Sequence, residues 1–393
     1  MMESSLKHKF GNYLFILLLF VFTIDPANVI FRVKDIVFIL FVGYNIVCFR
    51  PDYSKLPYIL LVLCAITIPL IFGEAQMTNM KPNEVFAAYK AIAPMILLLW
   101  IREYDVVRLS RMPIVSASIL AIFLFWLITL VPAAEGFVYY FVTADDTIII
   151  SRRSFLGLDM FCLHYRTIVS FMFVFALYIN NFFQKDKRTV GGIICMLLVF
   201  HAYFISGTRS TMLLPFFLFG VIGFYHLRSV RYFKYIMYPL IAISAVVFLA
   251  VLMMLMMEKG EASNIVKYAH LTSYWDLFCD HPEYLLFGQG PGALFYTDGF
   301  KMVTAKTEWT YLELIRNYGL FCLPILYVFY RPLLFLWKNW KVSFTYSLFW
   351  TYLAYLLIAG TNPLLLTSIG MTSLLTVYSY EEKLKREGAY EAK

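Results

Sequence analysis

GGIICMLLVFHAYFISGTRSTMLLPFFLFGVIGFY, residues 191–225, places one arginine, Arg209, between two apolar runs. Each run is about the length of a helix that crosses a bilayer, roughly 17–25 residues. Blocks of this kind recur along the whole chain. Of its 393 residues 61% are hydrophobic and only 15% charged, with 38 Phe and 29 Tyr, whereas a soluble domain carries about 25% charge. The expected class is therefore an all-α polytopic membrane protein forming a single integral membrane domain over 1–393.

Twelve candidate spans follow from the blocks: 12–24, 35–49, 57–73, 84–101, 112–132, 158–182, 189–206, 211–227, 235–256, 309–330, 343–360 and 363–379. The first apolar stretch, Tyr13–Ile24, leads straight into more chain and reads as a retained helix rather than a cleaved signal. An even number of crossings puts both termini on one side. That side collects Lys7, Lys9, Arg50, Lys55, Arg102, Arg108, Arg111, Lys185, Lys187, Arg188, Arg228, Arg231 and Lys234. Arg331, Lys338, Lys341, Lys383, Lys385, Arg386 and Lys393 join them, which makes 20 of the 33 Lys and Arg. By the positive-inside rule it is cytoplasmic. The net charge of +8 follows from this bias, so it is no argument for nucleic acid as a partner.

The other basic residues carry more information. Lys90 falls inside a span, Arg166 just inside another, and Arg209 and Arg316 near outer helix ends. Arg152 and Arg153 lie in the smaller external loop, 133–157. A charge at membrane depth costs a few kcal/mol on insertion scales and by default marks a site or a wet cavity. Snorkelling to headgroups and structural ion pairing are the alternatives. For Arg152, Arg153, Arg166 and Arg209 together, one shared anionic site is the expectation. In GLDMFCLHYRT, Asp159 and Arg166 are seven apart, which on a helix returns to nearly one face. Asp159 then orients the arginine or binds a hydroxyl, or else neutralises charge at a helix start. His164 lies off that face and reads as packing. Lys90 either faces the same cavity or pairs with Glu84.

Five of the six cysteines fall in apolar spans and only Cys279 is external, so no disulfide framework is expected. No CxxC, HExxH or His/Cys cluster suggests a protein-bound metal, and no Walker A or kinase motif suggests a nucleotide.

The external segment 257–307 is long, and its composition supplies structure. Ser263 can cap a helix running to about Asp280, with Ile265, Tyr268, Ala269, Leu271, Trp275 and Phe278 as an apolar stripe. Pro282 stops it. LLFGQGPGALF then sets Gly288, Gly290 and Gly292 around Pro291, a tight turn that lets backbone approach a neighbour. A surface helix plus a glycine turn reads as a lid over an external site, or as a plug on the bundle. Trp275, Trp309, Tyr274, Tyr284, Tyr296 and Tyr311 suit sugar stacking, but an interfacial aromatic belt has first claim on such residues.

Three segments in order, ISGTRSTMLLPFF, SYWDLFCDHPEYLLFGQGPGALF and KTEWTYLELIRNYGLFCLPILYVFY, resemble the O-antigen polymerase/ligase superfamily of bacterial inner-membrane proteins. They cover about residues 189–331. The resemblance implies a GT-C-type glycosyltransferase in the inner membrane, with its active site facing the periplasm and the large periplasmic loop between the ninth and tenth spans. It implies no cofactor, no metal and no nucleotide sugar. The partners it implies are an undecaprenyl-pyrophosphate-linked oligosaccharide donor and acceptor and the lipid bilayer, and it leaves room for a chain-length regulator protein.

Arg209 matches the family's motif arginine, which makes it a pyrophosphate contact, since guanidinium binds phosphate oxygens in bidentate fashion. Arg152, Arg153 and Arg166 are further candidates for that contact. Aligned on Tyr311 and Leu312, Glu308 stands where ligases carry histidine, and a carboxylate there can take the acceptor hydroxyl's proton. This departure favours a polymerase over a ligase. A simple helix-start carboxylate is the alternative for Glu308, and pairing with Glu313 the alternative for Arg316. A lipid-linked oligosaccharide flippase is the reading from outside enzymes, although no internal repeat of the transporter kind is evident.

Overall fold

The computed structural model describes residues 2–26, 32–131, 148–155, 158–228 and 262–388, with isolated positions at 133, 136, 138, 235 and 239. The expected span 235–256 and most of the loop 133–157 ahead of Ile148 lie outside these residues. The rest forms a predominantly helical polytopic membrane protein. Seven of its helices are long and apolar enough to cross a bilayer: Leu6–Ile24, Tyr53–Ala75, Pro82–Glu103, Val106–Leu130, Arg166–Phe183, Ser210–Leu227 and Thr310–Lys338. Val190–Ile205 and Phe344–Gly360 are shorter apolar helices.

In chain order the helices are α1 (Met2–Ile24), α2 (Lys34–Cys48), α3 (Leu56–Ala75), α4 (Pro82–Ile92), α5 (Val106–Leu109) and α6 (Arg111–Leu130). They continue with α7 (Met172–Phe183), α8 (Val190–Ile205), α9 (Arg209–Leu227), α10 (Ala262–Asp280), α11 (Tyr284–Phe287) and α12 (Thr310–Tyr318). The last are α13 (Cys322–Lys338), α14 (Ser343–Gly360) and α15 (Ser368–Arg386). Tight 3-10 stretches at 93–103 and 166–171 extend α4 and precede α7. Thr189 and Thr367 cap α8 and α15 by accepting from the backbone N–H of Gly192 and Gly370, which satisfies donors that a helix start leaves open.

The core gathers around α7, which packs against α8, α9 and α14. Phe171, Phe175, Ile179, Tyr203, Tyr352 and Tyr355 are fully buried there. α15 lies against the 93–103 turn and α13 against α3. One end of the bundle holds both termini: His8 meets Glu103, Lys383 meets Asp105 at 2.8 Å, and Lys55 meets Glu382 at 2.7 Å. At that end buried Glu381 takes a bidentate contact from Arg331 at 2.9 and 3.0 Å and a third from Lys385 at 2.7 Å. A buried carboxylate needs such partners, since an unpaired one costs several kcal/mol.

The opposite end departs from the sequence reading in two places. Residues 158–165, expected as the start of a span, form strand β2 (Leu158–Tyr165), antiparallel to β1 (Ile148–Phe155) in the register Ile148↔Tyr165 to Phe155↔Leu158. The seven-residue spacing of Asp159 and Arg166 therefore does not bring them to one helix face. An apolar run alone does not separate a strand from a buried helix; Ile148–Ile150 and the glycine before Leu158 were the hairpin's signals. Tyr165 and Thr167 anchor the hairpin's foot by donating to the Ile24 and Thr23 carbonyls, each at 2.7 Å.

α10 matches the expected helix in extent, but its buried face differs. Ile265, Tyr268 and Trp275 are exposed, and His270, Ser273 and Tyr274 are buried. Those three find polar partners on the segment β3 (Phe295–Thr297), β4 (Met302–Thr304) and the turn after it. His270 Nδ1 meets Thr297 Oγ1 at 2.5 Å, the Asp298 N–H donates to Ser273 Oγ at 2.9 Å, and Tyr274 Oη meets Thr307 Oγ1 at 2.7 Å. Polar groups with partners can be buried, although His270 Nε2 has none among the described residues, and Ile265, Tyr268 and Trp275 of the apolar stripe are left to face outward.

The glycine turn behaves as its sequence suggests. Gly290 has φ of +92°, and a Cβ there would lie 2.6 Å from Met80 Sδ and 3.2 Å from the Pro69 carbonyl. The turn docks on the α3–α4 connection through Thr78 Oγ1 to Gln289 O at 2.8 Å, Leu294 N to Asn79 O at 2.8 Å and Lys81 N to Gly292 O at 3.1 Å.

Candidate functional site

Docking of that turn brings the last loop residues over a cavity of about 710 Å³ at the end away from the termini. Its walls come from α2, α4, the hairpin, the α8–α9 turn, the loop and the 362–369 segment, which leads into the first residues of α15. Four cations face it: Lys34, Lys90, Arg166 and Lys306. Glu308 is the carboxylate in its lining, beside Asn362 and the hydroxyls of Thr208, Ser210, Thr211, Thr367 and Ser368. A second cavity of about 290 Å³ shares Ala87, Arg166, Lys306, Pro363, Leu366 and Thr367 with the first, and adds Glu84, Glu313 and Asn317. Arg166 and Lys306 thus stand at the partition between two chambers.

The opening sequence supplies one wall. Gly207, at φ +64°, lies against β2 so closely that a Cβ would fall 2.0 Å from Cys162 Sγ. Only glycine fits there, and the chain turns sharply into α9. Thr208 stands just ahead of α9 in extended backbone with φ of −90° and ψ of 136°, and its side chain makes no capping hydrogen bond. Ser206, Thr208 and Thr211 are joined by hydroxyl contacts. The first turn of α9 therefore aims a helix N-terminus, with its partial positive charge, at the cavity. Arg209 is its first residue; the side chain lies outside the described residues, as do those of Arg152, Arg153 and Asp159. In the hairpin Arg152 pairs with Phe161, Arg153 with Met160 and Ser154 with Asp159, while Ile149 and His164, directly opposite each other, line the cavity.

Of the residues singled out from sequence, Lys90, Arg166 and Glu308 meet in one cavity with the start of the Arg209 helix. Lys90 pairs with Asp35 at 2.6 Å; the partner of Glu84 is Lys306, at 2.5 Å. Glu308 is 3.5 Å from Lys267 on α10, with a partly exposed side chain. Its charge also reaches His270, where it opposes the larger effect of burial that lowers the imidazole pKa.

Arg316 and Tyr311 sit elsewhere. Arg316 is fully buried. Its Nη1 donates to Gln289 Oε1 at 2.9 Å and to the Ala293 carbonyl at 2.8 Å, and Nη2 donates to the Ala305 carbonyl at 2.7 Å. The guanidinium also lies 4.3 Å from the centre of the Phe295 ring. This arginine clamps the loop. Glu313 accepts from the Thr307 N–H at 3.0 Å. Tyr311 donates to the Leu356 carbonyl at 2.7 Å and touches Tyr330, a joint between helices. Gly288, Gly290 and Gly292 hold the loop down, and Gly292 also borders the smaller chamber.

Sequence reasoning missed Lys34, Lys306 and the 362–369 segment. Lys34 was hidden as an ordinary flank of a span, and Lys306 as a loop cation, although it lies two residues before Glu308. Nothing local marks Asn362 or Thr367; only the packing of α15 brings them in. Among the described residues no group of three His, Cys, Asp or Glu side chains is placed to hold a metal ion. No protein-family model, curated protein or solved structure shows significant similarity to this chain.

Proposed function

We propose that this chain is a membrane glycosyltransferase of GT-C type, an O-antigen or related polysaccharide polymerase. It would transfer a growing glycan from undecaprenyl pyrophosphate to an incoming lipid-linked repeat unit on the periplasmic side. The observation that carries the reading is the cavity holding Lys34, Lys90, Arg166 and Lys306 around one carboxylate, at the end away from the termini.

Lys90 and Lys306 already have carboxylate partners in Asp35 and Glu84, but the group of four cations beside a helix N-terminus still suits an anion bearing more than one charge, such as a pyrophosphate. As the bond between the sugar's anomeric carbon and the pyrophosphate oxygen breaks, negative charge grows on that oxygen. Arg166 and Lys306, which line both chambers, would stabilise it through their positive charge. The acceptor's hydroxyl oxygen forms the new glycosidic bond, and its proton passes to Glu308 acting as general base. The lipid pyrophosphate leaves, and the glycan is one repeat unit longer on its new carrier. The second chamber gives the acceptor sugar a place beside the donor.

The test is reconstitution of the purified protein with a synthetic undecaprenyl-pyrophosphate-linked repeat unit, read on a gel. A ladder formed in the presence of EDTA is expected. Glu308→Gln should slow it by about 10²–10⁴-fold and Arg166→Gln by about 10²–10³-fold. Transfer only when lipid A–core is added would make the protein a ligase. Movement of the lipid across the bilayer with neither product would make it a flippase and overturn the proposal.

A further inference from the structure

The end of the bundle that holds the termini has a cavity of its own, of about 670 Å³. It lies between the start of α6, the end of α7 and the end of α15. Arg108, Arg111, Lys187 and Lys383 line it, with Asn181 and Gln184 between them. Two carboxylates are also present. Asp105 is neutralised by Lys383 at 2.8 Å, which leaves Glu387 facing three cations. Among the described residues Arg108, Arg111 and Lys187 have no ion pair. Arg111 Nε is buried with no hydrogen-bond partner, and its guanidinium lies 6.0 Å from the centre of the Tyr178 ring.

An unmet donor inside a basic pocket is a cost that a ligand's oxygens would remove. A second crevice of about 170 Å³ shares Arg111, Asn181 and Lys187. It runs between Tyr178, Phe182, Gly192 and Ile193, past Arg188. Its walls set Arg111, Lys187 and Arg188 beside the side chains of Tyr178, Phe182 and Ile193, so charged and apolar groups meet there, as at the headgroup boundary of an amphiphile. All the lining helices begin or end here, at headgroup depth for helices of this length.

We propose that this cavity is a binding site for a phosphate-bearing anion held by Arg108, Arg111 and Lys187, with the headgroup of an anionic phospholipid as the occupant favoured by the adjoining crevice, where cations stand beside Tyr178, Phe182 and Ile193. Positive-inside bias accounts for cations at this end of the bundle, but not for their convergence on one cavity around an unsatisfied arginine nitrogen. The site is independent of the chemistry assigned to the other end.

Full-length protein, delipidated in a nonionic detergent, would be titrated with dioleoyl phosphatidylglycerol, dioleoyl phosphatidylcholine and inorganic phosphate, with bound ligand counted by native mass spectrometry. The wild-type protein should retain the phosphatidylglycerol selectively. The pair Arg111→Gln with Lys187→Gln should weaken that binding about thirtyfold, at roughly one cation's contribution per residue. The pair Arg50→Gln with Arg386→Gln removes the same charge from exposed positions at the same end and should change it far less. Phosphate binding lost in the cavity pair, without lipid selectivity, would keep the site and assign it a soluble phosphate. Equal retention of both lipids by the wild-type protein with no phosphate bound, or equal loss in both pairs, would overturn the proposal.

Discussion

Arg166 and Arg316 show how little the depth of an arginine says about its task. In sequence Arg166 stands just inside a span and Arg316 near an outer helix end, yet one faces a chamber and the other is enclosed by the carbonyls of a loop. Losing Arg316 strands three acceptors, each costing about 1–3 kcal/mol when buried without a partner. Arg316→Met should therefore destabilise the protein by about 3 kcal/mol or more, read as a lower thermal midpoint in detergent. Arg316→Lys should recover little, because one ammonium cannot reproduce the fork that spans Gln289, Ala293 and Ala305. A midpoint for Arg316→Met within about 2 °C of wild type would sink the clamp. At this scale the sequence was informative about residue type and silent about partner. Intramembrane cations pointed to a polar cavity, and Lys90, Arg166 and Glu308 do converge on one. Arg316 carries the same signal, and its distinguishing contacts come from a turn up to 27 residues away.

Among the elements, the loop is held by backbone approach on one side and by hydroxyls and an imidazole on the other. Gly73 shows the first kind of hold: a Cβ on it would fall 2.4 Å from the Gln289 carbonyl oxygen. Gly73→Ala should push the loop off α3 at a cost of about 1–3 kcal/mol, the usual penalty of overpacking. Limited proteolysis between 281 and 306 should accelerate; an unchanged cleavage rate would mean the loop accommodates the methyl. His270 shows the second kind. Burial holds its pKa below the ordinary 6.5, with Glu308 pulling the other way. In an undocked loop the imidazole returns to that ordinary value, so below about 6.5 the undocked form binds more protons. Docking is then fully stable above that pH and weakens as pH falls through the folded value. Cleavage should be faster at about pH 5.5 than at about pH 7.5, and His270→Gln should flatten the difference. A dependence equally steep in His270→Gln would assign the titration to another group. The extent of α10 was legible from its cap and its stop at Pro282. Its buried face was not, because a stripe rule assumes an aqueous outside and an apolar inside, and near a bilayer apolar residues can remain outward.

For the whole molecule, composition and the length of apolar blocks were enough for the class, but the blocks do not map one to one onto the described helices. The block expected at 35–49 becomes α2, a helix of 15 residues, and the block expected at 363–379 becomes α15, which ends in Glu381, Glu382, Lys383, Lys385 and Arg386. Block length measures hydrophobicity, while the end of a helix is decided by caps, prolines and packing. What survives from the sequence reading is polarity along the bundle axis. α3 runs from Lys55, tied to Glu382 near the C-terminus, to Gly73, packed on the loop turn. Its 20 residues span about 30 Å, so the termini and the loop are expected to lie on opposite faces of the bilayer. Cys279, exposed near the end of α10, tests this directly. In right-side-out vesicles a membrane-impermeant maleimide should label it, while an epitope fused after the C-terminus should become reachable only when the vesicles are inverted. Cys279→Ser should abolish the labelling, since the other exposed thiol, Cys64, lies midway along α3 at membrane depth. Labelling in inverted vesicles alone would reverse the orientation and place the cation cavity in the cytoplasm. Labelling in both preparations would mean that the helices do not seal the two faces from each other.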